Sequence, residues 1–268
     1  MLHHEIIGDG TPLLILHGIL MDHRYMKEVL EPVFEKAPGW RRIYVDMPGH
    51  GQSPPRDGIN SQDDLLSAVV EFVNAVLPDR RFALLGLSRG SYIARGIIQM
   101  RPNAVIGAAL ILPGGNPGSD PARLPSHEIL EADPSIRPEL AESELWSFDA
   151  FSVVQRRDIV ETRRRVSAPA RALWSAEQDA RVVKAFELTC LTETEPRIFN
   201  GPSLIVAGRQ DSWSGYLDAM DLMPLFARAT LGVLDTAGHG LPLERPDLFQ
   251  ALVRDWLLRL DRQVGPTP

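Results

Sequence analysis

The stretch that most constrains this chain is Phe82-Ala83-Leu84-Leu85-Gly86-Leu87-Ser88-Arg89-Gly90. An apolar run ends in Gly-x-Ser-x-Gly, and a helical pattern follows from Tyr92 to Met100, until Pro102 stops it. This reads as a strand that turns sharply into a helix with Ser88 at the apex. Glycines at 86 and 90 remove the β-carbons that would obstruct so tight a bend. A serine there has an exposed hydroxyl, and the helix N-terminus beneath it favours negative charge. The plainer role for Ser88 is a helix N-cap. Either way, a strand feeding a helix directly belongs to an alternating β/α architecture, and the rest of the chain must supply the other strands.

It does so. Short apolar runs occur at Leu13-Leu14-Ile15-Leu16, Ile43-Tyr44-Val45, from Val105 to Leu112, at Ser203-Leu204-Ile205-Val206-Ala207, and from Leu231 to Leu234. Runs of this kind are expected of strands covered on both faces. Weak alternation over 2–7 predicts an edge strand, and Asp9-Gly10-Thr11-Pro12 predicts a turn. Helical periodicity covers about 22–36, with Asp22 as N-cap, then 65–76, 216–228 and 246–260. The texture changes at Pro113-Gly114-Gly115-Asn116-Pro117-Gly118, a cluster of breakers. Beyond it no clear strand occurs until 203, and helical patterns lie near 126–132, 138–168 and 169–190. The tail Gly265-Pro266-Thr267-Pro268 reads as frayed. The expected architecture is α/β: a doubly wound, mostly parallel sheet formed by residues 1–115 and 200–268, with a helical cap inserted at 116–199. In such sheets functional groups gather at the carboxyl ends of the strands. Those ends here carry His17-Gly18, Asp46, Ser88, Asp211 and His239.

Composition narrows the partners. The 268 residues suit one large domain or a core with an insertion. A formal net charge of −7 argues against nucleic acid or an anionic membrane surface as the main partner. The densest basic cluster, Arg163-Arg164-Arg165, lies near Asp158 and Glu161 and reads as a solvated helix face. The lone cysteine, Cys190, excludes an intramolecular disulfide and reads as a buried thiol in a reducing compartment. The N-terminus lacks the basic start and long apolar stretch of a signal peptide, and no run is long enough to span a bilayer. A cytoplasmic protein with no metal and no cofactor is expected.

The motifs His17-Gly18, Asp46-Met47-Pro48-Gly49-His50-Gly51-Gln52-Ser53, Gly86-Leu87-Ser88-Arg89-Gly90, Gly208-Arg209-Gln210-Asp211 and Gly238-His239 together resemble the α/β-hydrolase superfamily, in that family's order. The resemblance implies a catalytic triad with Ser88 as nucleophile, His239 as general base and then acid, and Asp211 as the acid that orients it. It also implies an oxyanion hole made by the backbone N–H groups of Ile19 and Arg89. The expected reaction is hydrolysis of a carboxylic ester, lactone or thioester through an acyl-enzyme, on a small apolar ester-like substrate. Rival assignments are Asp235 for the acid and His50 for the base, and Asp211 also fits a helix N-cap. His17 and Asp46 read as structural. Trp213, Trp146 and Leu20 are candidates to line the substrate pocket, and Arg89 and Arg209 to reach a substrate carboxylate. Serine at 88 separates the chain from the haloalkane dehalogenases and epoxide hydrolases, which use aspartate. The Gly-Gly-Ser-Trp-Gly pattern of proline iminopeptidases and the Asn-Ser-Met-Gly-Gly pattern of C–C bond hydrolases are absent. A silent ligand binder, a lyase or cyclase without an acyl-enzyme, and a cofactor-free perhydrolase stay open at this level. The oligomeric state cannot be read from the sequence.

Overall fold

In the computed structural model, residues 1–114 and 120–264 are described; residues 115–118 of the breaker cluster and the tail at 265–268 lie outside the described residues. The chain begins with strand β1 (His4–Ile7), β2 (Thr11–Leu16), helix α1 (His23–Phe34), β3 (Trp40–Val45), α2 (Gln62–Val76), β4 (Phe82–Leu87), α3 (Arg89–Met100) and β5 (Val105–Ile111). After a long insertion come β8 (Ser203–Gly208), α9 (Leu217–Asp221), β9 (Ala229–Leu234), α10 (Leu241–Glu244) and α11 (Pro246–Val264). Seven of these strands form one sheet, in the order β1-β3-β2-β4-β5-β8-β9. Only the edge strand β1 is antiparallel to its neighbour; the others run parallel.

The side-chain period of two explains why both faces are covered. Leu13 and Ile15 point to a layer built with Met26, Val29 and Leu30 of α1 and Phe249, Val253 and Trp256 of α11. Leu14 and Leu16 point the other way, toward Leu65, Val69 and Val73 of α2 and Ile93 and Ile97 of α3. All four β2 side chains are fully buried. Each such burial contributes roughly 1.5–3 kcal/mol, which fixes the register of this central strand against slippage. Asp22 caps α1 by accepting from the Arg24 N–H at 3.0 Å.

The expected turn at 9–12 is one residue pair too long. Thr11 and Pro12 already belong to β2, where they pair with β3, while pairing with β4 starts only at Leu13. Proline is tolerated at that strand start because one side of the strand is still unpaired there. The helix expected over 216–228 is shortened to α9 because Pro224 forces a tighter turn at Met223–Leu225.

The insertion between β5 and β8 is mostly helical over 157–192. It contains β6 (Glu131–Ala132), α4 (Glu142–Phe151), β7 (Val154–Gln155), α5 (Arg157–Thr162), a π-helical turn at Arg163–Ser167, α6 (Ala168–Ala172), α7 (Ala176–Lys184) and α8 (Thr189–Thr192). No helix forms at 126–132. The helix expected at 138–168 is interrupted at 152–156. There the chain extends, pairs β7 with β6, and gives the Val153 N–H to the Glu244 carboxylate at 2.8 Å. Cys190 on α8 is half-buried rather than fully buried. Among the described residues no helix is long and apolar enough to cross a membrane.

Candidate active site

The sharp bend after β4 is present and strained. Ser88 has φ 52° and ψ −119°, a conformation that costs a non-glycine residue about 1–3 kcal/mol. Its surroundings hold it there. The Ser88 N–H donates to the Ile111 carbonyl at 2.8 Å. The buried Ser91 hydroxyl donates to the carbonyls of Gly86 at 2.6 Å and Ile111 at 2.9 Å, tying helix to strand across the bend. A β-carbon at 86 would lie 2.2 Å from the Gly90 carbonyl oxygen, and one at 90 would lie 2.4 Å from that of Leu16. Both positions therefore require glycine. Sequence reading found these glycines but missed Ser91, which looks like any other helix serine.

Two side chains from later strand ends converge on Ser88. His239 Nε2 accepts from Ser88 Oγ at 3.1 Å, and His239 Nδ1 donates to Asp211 Oδ2 at 2.9 Å. The other carboxylate oxygen of Asp211 accepts the N–H groups of Trp213 at 2.9 Å and Ser214 at 3.0 Å. Asp211 is fully buried, whereas Ser88 and His239 keep partial exposure. Burial works against charge on His239, but the Coulombic pull and hydrogen bond of Asp211 outweigh it and raise its pKa above the ordinary imidazole value. Asp235 lies on the surface, where it accepts from Gln210 Nε2 at 2.8 Å, and it makes no bond to His239. His50 is buried with its Nδ1 donating to the Pro48 carbonyl at 3.1 Å, and burial pushes its pKa well down.

The loop after β2 closes over the bend. A β-carbon on Gly18 would stand 3.2 Å from Ser88 Cβ, so this loop is drawn tight against the serine. His17 fixes it: Nδ1 donates to the Gly18 carbonyl at 2.7 Å and Nε2 accepts the Met47 N–H at 2.9 Å. Arg89 opens α3, and the first N–H groups of a helix have no partner inside it. Asp46 fixes the neighbouring loop by accepting the N–H groups of His23 at 2.8 Å and Gln52 at 2.9 Å, together with His23 Nδ1 at 2.9 Å. His3, His23 and Asp46 are also grouped closely enough to suggest metal ligands. The Asp46 oxygens, however, are already occupied by these protein donors.

A cavity of ≈ 680 Å³ opens above Ser88 and His239. It is lined by Ile19, Leu20, Phe148, Phe151, Trp146 and Trp213 among others, so all three expected pocket residues reach it. Trp146 and Trp213 are 48% and 50% exposed, which places them at its mouth. Phe151 stacks on Trp213 with centroids 4.4 Å apart. Two expectations need correction. Arg89 is among the residues that line the cavity, but its guanidinium is already paired with Asp179 of α7, both groups being buried. Arg209 lies 4.2 Å over the Tyr216 ring and does not line the cavity. The basic cluster at 163–165 is also not one solvated face: Arg164 and Arg165 are exposed, Arg163 is half-buried, and both Arg163 and Arg164 line the cavity.

The family model described as Alpha/beta hydrolase family matches residues 13–252. The chain belongs to this alpha/beta hydrolase family. A curated relative of this alpha/beta hydrolase, the 2-hydroxy-6-oxononadienedioate/2-hydroxy-6-oxononatrienedioate hydrolase 2 of Pseudomonas putida, is 24% identical over 279 residues, covering 96% of this chain and 91% of its own. Among solved structures, an alpha/beta superfamily hydrolase from Oenococcus oeni PSU-1 matches with a TM-score of 0.87 at 23% identity, covering 96% of both chains. An esterase from Exiguobacterium antarcticum matches with a TM-score of 0.74 at 19% identity, covering 96% of this chain and 95% of its own. At these identities the solved structures speak to the fold of the alpha/beta hydrolase rather than to its substrate.

Proposed function

We propose that this alpha/beta hydrolase cleaves a carboxylic ester, lactone or thioester with Ser88 as nucleophile, His239 as base and Asp211 as orienting acid. The observation that carries the reading is the unbroken hydrogen-bond line from Ser88 Oγ through His239 to buried Asp211, at 3.1 Å and 2.9 Å. A hydroxyl is a weak nucleophile until a base takes its proton. Here Nδ1–H is committed to Asp211, so Nε2 is left with its lone pair facing Ser88. Ser88 Oγ attacks the substrate carbonyl as Nε2 takes its proton, and the Asp211 carboxylate stabilises the imidazolium that results. The backbone N–H groups of Ile19 and Arg89 receive the oxyanion; each such donor is worth a factor of about 10²–10³ in rate. His239 returns the proton to the leaving group. Water then repeats the sequence on the acyl-enzyme, releasing the acid and regenerating Ser88.

Residues 116–199 form the cap in this reading, over a core of 1–115 and 200–268. The apolar walls and the size of the cavity suit a small to medium acyl or alcohol group.

The pH profile of ester turnover tests the reading. Only neutral His239 can accept a proton, so kcat/KM for p-nitrophenyl butyrate rises with pH through the pKa of His239. The carboxylate of Asp211 raises that pKa. The expected midpoint therefore lies above the ordinary histidine value of about 6.5. In Asp211→Asn the largest opposition to burial is removed and only the weaker pull of Glu244 is left, so the midpoint of the residual activity moves down. A wild-type midpoint at or below the ordinary value contradicts the assignment of His239 and Asp211 as a pair.

A further inference from the structure

The walls of the cavity above Ser88 carry more positive charge than they neutralise. Four arginines line it, Arg89, Arg163, Arg164 and Arg171, against two carboxylates, Glu144 and Asp179. Two of the four are matched: Arg89 pairs with Asp179, and Arg164 pairs with Glu144 at 2.6 Å. Arg171 lies 5.2 Å over the half-exposed Trp146 ring at the mouth and donates to the Ser143 carbonyl at 3.3 Å.

Arg163 is different. It sits on the π-helical turn between α5 and α6, half-buried and facing the cavity. Its one side-chain hydrogen bond among the described residues runs from Nη1 to Ser152 Oγ at 2.5 Å. No described carboxylate forms an ion pair with it, and the segments outside the described residues contain no acidic side chain. Glu244 acts on it electrostatically from further off, but both Glu244 oxygens are engaged: Oε1 accepts the Val153 N–H at 2.8 Å and Oε2 accepts the Gly238 N–H at 2.7 Å. Burial lowers the pKa of Arg163 and raises that of Glu244, so neither group is fully compensated by the other. Arg163 Nη2 points at the residue after the base: a β-carbon on Gly240 would stand 3.0 Å from it. Tyr25 lines the same cavity.

We infer that Arg163 anchors a carboxylate on the substrate, so that the cavity selects anionic esters, such as monoesters of dicarboxylic acids, over neutral esters. This inference rests on the hydrolase reading. A guanidinium presents a planar fork of N–H donors that matches a carboxylate bidentately. A cation whose one side-chain hydrogen bond goes to a neutral hydroxyl, and whose nearby carboxylate Glu244 is committed to backbone N–H groups, is incompletely compensated, and an incoming carboxylate supplies a direct partner. Apolar walls strengthen that attraction by excluding water. The reaction yields the dicarboxylate and an alcohol.

The test compares the monomethyl and dimethyl esters of glutaric acid, with acid release followed at constant pH. The wild type is expected to favour the monomethyl ester in kcat/KM. Arg163→Met should cut the ratio of monomethyl to dimethyl turnover by about thirtyfold or more, the scale on which breaking a buried charged pair acts. Arg163→Lys should restore only part of the ratio, because an ammonium lacks the fork. A merely structural role for Arg163 would lower both rates and leave the ratio unchanged. An unchanged ratio, or a wild type that prefers the dimethyl ester, overturns the anchor and leaves the hydrolase reading standing. If Arg163→Met does not fold, the wild-type preference and Arg163→Lys decide. If neither ester turns over, the hydrolase reading fails, and calorimetric titration of monomethyl glutarate into folded Ser88→Ala decides the anchor separately. Binding that weakens about thirtyfold or more in Ser88→Ala/Arg163→Met upholds it; a smaller loss, or no binding to Ser88→Ala, ends it.

Discussion

Ser88→Ala is expected to lower kcat for p-nitrophenyl butyrate by about 10⁶, leaving only what the oxyanion donors and substrate binding supply. The size follows from what is removed. Without Oγ no acyl-enzyme forms, and His239 loses the proton donor 3.1 Å away. The fold should survive. The N–H of residue 88 still reaches the Ile111 carbonyl, and the hydroxyl of Ser91 still ties the bend together. Alanine at 88 keeps the same strained backbone without gaining or losing a β-carbon. A thermal melt alongside the kinetics separates lost chemistry from lost structure. Turnover within tenfold of wild type in a folded Ser88→Ala would mean that another group attacks.

Asp211→Asn is expected to cost about 10⁴ in kcat, with little change in folding. The asparagine Oδ1 can still accept the N–H groups of Trp213 and Ser214. The amide nitrogen then faces His239 Nδ1 and donates to it, which moves the ring proton to Nε2. A ring protonated at Nε2 presents a donor to Ser88 instead of an acceptor, and the base is lost. Asp235→Asn is the control. That carboxylate is exposed and bonded to Gln210 and Thr236, so its loss should leave turnover within about twofold. The opposite pattern, with Asp235→Asn inactive and Asp211→Asn unimpaired, would transfer the acid role to Asp235.

The sheet was legible in the sequence because its strands are short, apolar and bounded by breakers. Phe82–Leu87 is read to the residue, since both faces of β4 are covered and no polar side chain blurs its ends. Ser88, Asp211 and His239 are legible for a related reason: each follows a strand, and strand ends are where a parallel sheet brings distant sequence together. The insertion was not legible in the same detail. Its helices are short and are set by contacts with the core rather than by their own periodicity. Val153 and Val154 leave the helical pattern because Glu244, far along the chain, takes the Val153 N–H. Arg163 was read as a solvated charge because Arg164 and Arg165 are; a π-helical turn places it against the cavity instead. Arg89 looked available to a ligand until Asp179 met it from α7. For Val153 and Arg89 the deciding partner lies about ninety residues away, where local pattern carries no information.

The most direct measurement of the central claim is the intact mass of the protein after incubation with a serine-directed phosphonate ester. The phosphonate mimics the tetrahedral intermediate, so its capture requires an activated hydroxyl and an oxyanion site together. The expected result is a single phosphonyl group per chain, mapped to the peptide containing Ser88, absent in Ser88→Ala and much slower to form in Asp211→Asn. A folded protein that gains no mass, or that is labelled at a residue other than Ser88, would contradict the assignment of Ser88 as the nucleophile.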